Sequence, residues 1–112
     1  VEIHQKFGPG LLESVYEQVL KKVLNKKGLA VESQVMVPVE YDGEVISNAF
    51  RADLMVNEKV ILELKSIETV KPIHKKQLLT YLKLTGCKLG YLLNFGEYLM
   101  KNGIYRIING TL

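Results

Sequence analysis

The chain has 112 residues, 47% of them hydrophobic and 24% charged, which excludes a disordered chain and leaves room for one domain around one core. Fifteen Lys and Arg against twelve Asp and Glu give a formal charge of +3, which permits a polyanionic partner without requiring one. No apolar run approaches the ~20 residues of a membrane helix and no leader-like segment opens the sequence, while the single Cys87 excludes an intrachain disulfide and a multi-cysteine zinc site. A cytoplasmic protein without membrane contact is expected.

Between Pro9 and Gly28, Leu12, Val15, Tyr16, Val19, Leu20 and Val23 recur at the helical period. The stretch predicts a helix of about five turns. After Gly28 the pattern turns to β-branched alternation from Val31 to Tyr41, and Asp42-Gly43 signals a hairpin. Pro38 marks that strand as an edge strand. Further strands are predicted from Val45 to Val56 and from Lys59 to Ser66, then a helix from Pro72 to Gly86 and a buried strand from Leu89 to Phe95. A loop or helical turn from Gly96 to Gly103 leads to a short strand from Ile104 to Ile108. The order αβββαβ plus a C-terminal strand predicts an α/β domain over 1–112, with a mixed central sheet flanked by helices and a parallel crossover between the third and fourth strands.

Aspartate is scarce: only Asp42 and Asp53 occur, and Asp42 belongs to its turn. Asp53 interrupts the apolar strand Phe50–Val56, where aspartate is unfavourable without a partner or cation. Glu63 and Lys65 interrupt the next strand in the same way. With a side-chain period of two, Glu63 and Lys65 share one face and Val60, Leu62 and Leu64 the other, and the neighbouring strand divides into Arg51, Asp53 and Met55 against Phe50, Leu54 and Val56. Bringing the apolar faces together requires a register that sets Asp53 opposite or diagonal to Glu63, as a three-residue connection Asn57-Glu58-Lys59 or a bulge supplies. Two carboxylates and a lysine on one face suit a hard divalent cation, Mg²⁺ or Mn²⁺, that polarises a phosphoryl oxygen. An inert carboxylate–lysine ion pair on a solvated sheet face is the other reading of the same residues.

Asp53, nine residues, then Glu63-Leu64-Lys65, preceded by a helix with Glu13 and followed by one with Gln77 and Tyr81, resembles the PD-(D/E)XK nuclease superfamily. Within it, Gly10-Leu11-Leu12-Glu13-Ser14-Val15-Tyr16 is similar to the GxxExxY family, as are His4, Gly8-Pro9-Gly10, the Gln77–Leu82 stretch and Leu93-Asn94-Phe95-Gly96. The resemblance implies a restriction-endonuclease-like core. It implies Asp53, Glu63 and the Leu64 carbonyl as metal ligands, Lys65 as the catalytic lysine and Glu13 as a further catalytic and metal-site carboxylate. A first-turn carboxylate favoured by the helix dipole is the plainer reading of Glu13. Gln77 and Tyr81 share a helix face with His74 and resemble the Gln-x-x-x-Tyr element that supports the site or touches the nucleic-acid backbone. A buried tyrosine on an amphipathic helix is the alternative. Ala52 stands where the family's signature has Pro.

Tyr16 is expected to pack its helix on the sheet. Arg51 is read equally as a phosphate contact or as a partner of the acidic cluster. Lys71, Lys75, Lys76 and Lys83 are read as a phosphate track or a solvated face. The function implied is a metal-dependent nuclease hydrolysing phosphodiester bonds in nucleic acid, with DNA as the expected substrate and Mg²⁺ or Mn²⁺ as cofactor. An inactive nucleic-acid-binding or protein-interaction module that keeps the fold, and a homodimer whose pairing creates the groove, are the other readings.

Overall fold

The computed structural model describes residues 1–8, 12–97 and 100–110, the side chains of His4 and of residues 47–49 excepted. Its elements are helices α1 (Glu2–Phe7), α2 (Glu13–Lys26) and α3 (Pro72–Thr85), and strands β1 (Val31–Tyr41), β2 (Glu44–Val56), β3 (Val60–Lys65), β4 (Leu89–Asn94) and β5 (Ile104–Ile108). A 3₁₀ turn spans Met100–Asn102. Helix α1 has no counterpart in the sequence reading, because six residues are too few for a visible amphipathic period. Helix α2 begins at Glu13 rather than at the expected Pro9, which lies outside the described residues.

The five strands form one mixed sheet in the order β1-β2-β3-β4-β5, antiparallel except for the parallel β3–β4 pair. Strand β1 lies at the edge, as Pro38 requires, and the ladder shifts between Val37 and Val39. Asp42 and Gly43 both take positive φ, +52° and +80°, which fits the right-handed twist of the strands they join. The β2–β3 connection is the three-residue turn Asn57-Glu58-Lys59, and it pairs Leu54 with Leu62. The register deduced from the two apolar faces is the one observed.

One hydrophobic cluster lies under α1 and α2, where Tyr16, Leu54, Leu62, Leu64, Phe95 and Met100 meet. A second lies under α3, where Ala52, Ile61, Leu78, Leu82 and Leu92 meet. Tyr16 is 2% exposed and stacks on Phe95 with ring centroids 4.3 Å apart, so it fills the role expected of it.

One expectation fails in β2. Phe50 packs with Met55 in the α3-side cluster, whereas Arg51 lines a groove on the α2 side, the reverse of simple alternation from Leu54. The cause lies across the ladder. Ser33 pairs with Leu54 and Val35 with Ala52, but Gln34, level with Asp53, makes no pair and has φ +53°. That irregular residue inverts the faces of both strands beyond it.

Candidate metal centre

The β2–β3 ladder ends at Leu54–Leu62, after only three residue pairs. Beyond it β2 stays with β1, while β3 continues against β4 as far as Lys65–Asn94. The sheet therefore forks. Asp53, the next residue of β2, fills the opening with its side chain: Oδ2 accepts a hydrogen bond from the Leu64 main-chain N–H at 2.8 Å. In a strand the N–H and C=O of one residue emerge at the same edge, so the Leu64 carbonyl also points into the fork.

Glu63 is buried, 8% exposed, and its Oε1 has no hydrogen-bond partner. Burial first, and then the neighbouring charge of Asp53, push its carboxyl up to about 9, while the Lys65 ammonium opposes the rise. Tyr81 on α3 stacks on Phe50 at 4.0 Å, and its hydroxyl is pushed up by burial and then by the charges of Glu63 and Asp53. Glu13 is exposed on the first turn of α2. Partial desolvation and the charge of Asp53 raise its carboxyl, and Lys65 lowers it. Asp53, Glu63, Lys65, Glu13 and Tyr81 thus share one electrostatic site, assembled from two strands and both long helices.

Among the described residues no three His, Cys, Asp or Glu side chains come together as a ready metal cage. A divalent cation fits nonetheless, because the fork offers two carboxylates, one with an orphaned buried oxygen, together with a main-chain carbonyl. Glu13 lies within the field of this group rather than forming a third carboxylate of a cage.

The remaining expected residues are spread around the fork. Gln77 is exposed one helical turn before Tyr81. Lys75 reaches over the Tyr105 ring of β5, 4.4 Å from its centroid. His74 Nδ1 accepts from the Lys71 N–H at 2.9 Å and so caps α3. Arg51 stands in the α2-side groove.

One supporting residue had no assigned role in the sequence reading. Asn94 is fully buried; its Oδ1 accepts from the N–H groups of Ile67 and Gly96, both at 3.1 Å, and its Nδ2 donates to the Ile67 carbonyl at 2.9 Å. The Phe95 N–H donates to the Lys65 carbonyl at 2.9 Å. The segment immediately after Lys65 is therefore laced to the end of β4. A Cβ on Gly96 would lie 2.7 Å from the Ile67 carbonyl oxygen, so only glycine fits there. An aspartate among apolar residues announces itself in a sequence, whereas a strand-end asparagine resembles any turn residue.

Comparison with known proteins agrees with this geometry. A forked α/β sheet holding Asp, Glu and Lys at its opening defines a nuclease-type core, and the family model described as PD-(D/E)XK nuclease superfamily matches residues 1–107. The chain belongs to that superfamily, whose members generally act on nucleic acid with divalent metals. No curated protein matches it. Among solved structures, the crystal structure of SSO0001 is similar over 89% of this chain, with 25% identity and a TM-score of 0.58. The chain spans 52% of that protein's length. No helix among the described residues is long and apolar enough to cross a membrane.

Proposed function

We propose that this protein is a metal-dependent nuclease of the GxxExxY group, hydrolysing phosphodiester bonds in nucleic acid, DNA first among them, with Mg²⁺ or Mn²⁺. The observation that carries the reading is the buried, unpartnered Glu63 Oε1 at the mouth of the fork, beside Asp53 and Lys65. A protein does not ordinarily retain such an atom without a ligand for it.

Asp53, Glu63 and the Leu64 carbonyl would hold the cation, which supplies Lewis acidity toward a phosphoryl oxygen and a nucleophile at neutral pH. Asp53 is oriented by the Leu64 N–H, leaving its second oxygen for this task. Lys65 orients the attacking water and offsets negative charge developing on the phosphoryl group. Glu13 holds a water or takes its proton from the α2 side. Tyr81 and Gln77 line the approach along α3.

The test combines calorimetric titration of Mn²⁺ and Mg²⁺ with digestion of linear, nicked, single-stranded and RNA substrates. Wild type binds and cleaves, Asp53→Asn/Glu63→Gln does neither, and Lys65→Ala binds the cation without cleaving. Intact substrates in every wild-type reaction would overturn the enzymatic reading in favour of an inactive binding module.

A further inference from the structure

The inversion at Gln34 has a visible product. It turns Arg51 away from the α3 cluster and into a groove of about 390 Å³ between α2 and the β1–β2 ribbon. The groove is lined by Ser14, Glu17, Lys21, Ser33, Gln34 and Arg51. Its position is fixed relative to the fork: Ser14 follows Glu13, Arg51 precedes Asp53 by two residues, and Gln34 lies level with Asp53 on the neighbouring strand.

We propose that this groove is a sequence-independent subsite for the sugar–phosphate backbone, delivering a nucleic-acid strand to the Asp53–Glu63 fork. The inference rests on the nuclease reading and adds the path of the strand. The lining carries two cations, Lys21 and Arg51, two hydroxyls and the Gln18 amide, which are donors for phosphate oxygens and sugar hydroxyls. Among the described residues its lining offers no aromatic ring on which a base could stack, so it grips backbone and leaves bases unread. The Glu17 carboxylate is held aside, since the Gln34 amide nitrogen donates to both its oxygens at 2.7 and 2.9 Å. Lys21 is positioned in turn by Ser33, its ammonium 3.3 Å from the hydroxyl oxygen. A left-handed glutamine inside a strand is costly, and its effect here is to supply Arg51 and restrain Glu17.

The test measures fluorescence anisotropy of labelled single-stranded and duplex oligonucleotides in Mg²⁺, with Lys65→Ala as the parent so that substrate stays intact. Arg51→Ala and Lys21→Ala are added singly, and Lys59→Ala serves as control because it lies in the β2–β3 turn, at the other end of the ladder from the fork. Each groove variant is expected to weaken binding about three- to tenfold for every sequence and to reduce the salt slope by about one. Melting temperatures at the parent's value confirm folding. Binding by the parent with groove variants matching Lys59→Ala overturns the subsite and leaves the nuclease reading standing. Failure of the parent to bind overturns the subsite, and the nuclease reading falls with it only where the wild type also leaves every substrate intact, whereas groove-dependent binding without any wild-type cleavage upholds the subsite and overturns only the enzyme.

Discussion

The carboxylate of Asp53 occupies the place of a ladder hydrogen bond to Leu64, 2.8 Å from its N–H, at the point where β2 and β3 part. Asp53 therefore has a structural duty apart from its proposed role as a cation ligand, and the two can be separated. Asp53→Asn retains an acceptor for Leu64 and should melt within a few degrees of wild type, yet lose saturable Mn²⁺ binding. Asp53→Ala leaves the N–H unpaired and should cost about 1–2 kcal/mol as well. Equal melting temperatures for the two variants would show that the bond does not hold the fork.

Glu63 gives the cation-free protein a pH dependence of definite sign. Its carboxyl ionises near 4.5 when unfolded and at about 9 when folded. Between those values the folded state binds the extra proton, so the stability is fully present below about 4.5 and is lost as pH rises through about 9. The slope is at most about 1.4 kcal/mol per pH unit. In chelator, wild type should lose melting temperature from pH 5.5 to 8.5 relative to Glu63→Gln, and Mn²⁺ at pH 8 should restore wild type alone. Parallel melting curves for the two proteins would refute the assignment.

Asn94 satisfies two N–H groups and one carbonyl from full burial. Asn94→Ala should cost at least about 2 kcal/mol, because it strands groups that water reaches poorly. Gly96→Ala should also destabilise, through its 2.7 Å approach to Ile67. Denaturant unfolding of both variants measures this, and a wild-type midpoint in either would remove the clamp from the account.

Tyr16 belongs to the family-like motif but acts through packing. Tyr16→Phe keeps the Phe95 stack and gives up only the hydroxyl contact to Met100 Sδ at 3.8 Å. It should change stability by less than about 1 kcal/mol, whereas Tyr16→Ala should cost about 3–5 kcal/mol. Loss of cleavage in a stably folded Tyr16→Phe would instead assign the hydroxyl a chemical role.

The β2–β3 register was legible because both apolar faces constrain it: Leu54 and Leu62 must share a side, and that fixes Asp53 beside Glu63. The Asp42-Gly43 turn was legible from local chemistry alone. The faces of Phe50 and Arg51 were not, because the cause sits on another strand, in a glutamine whose φ nothing in its own neighbourhood announces. Asn94 escaped for a related reason, since its partners Ile67 and Gly96 meet it only after the β3–α3–β4 crossover closes.

The fork also has a mechanical meaning. Three residue pairs join β2 to β3, against six joining β3 to β4, so the hydrogen-bonded seam between the two parts of the sheet is thin beside the proposed cation site. Asp53 lies on one side of that seam and Glu63 with Lys65 on the other. Anything bound to both sides acts as a rivet, and amide exchange at Leu54, Leu62 and Leu64 should slow on loading with Mn²⁺ while the Asp42-Gly43 hairpin end exchanges as before.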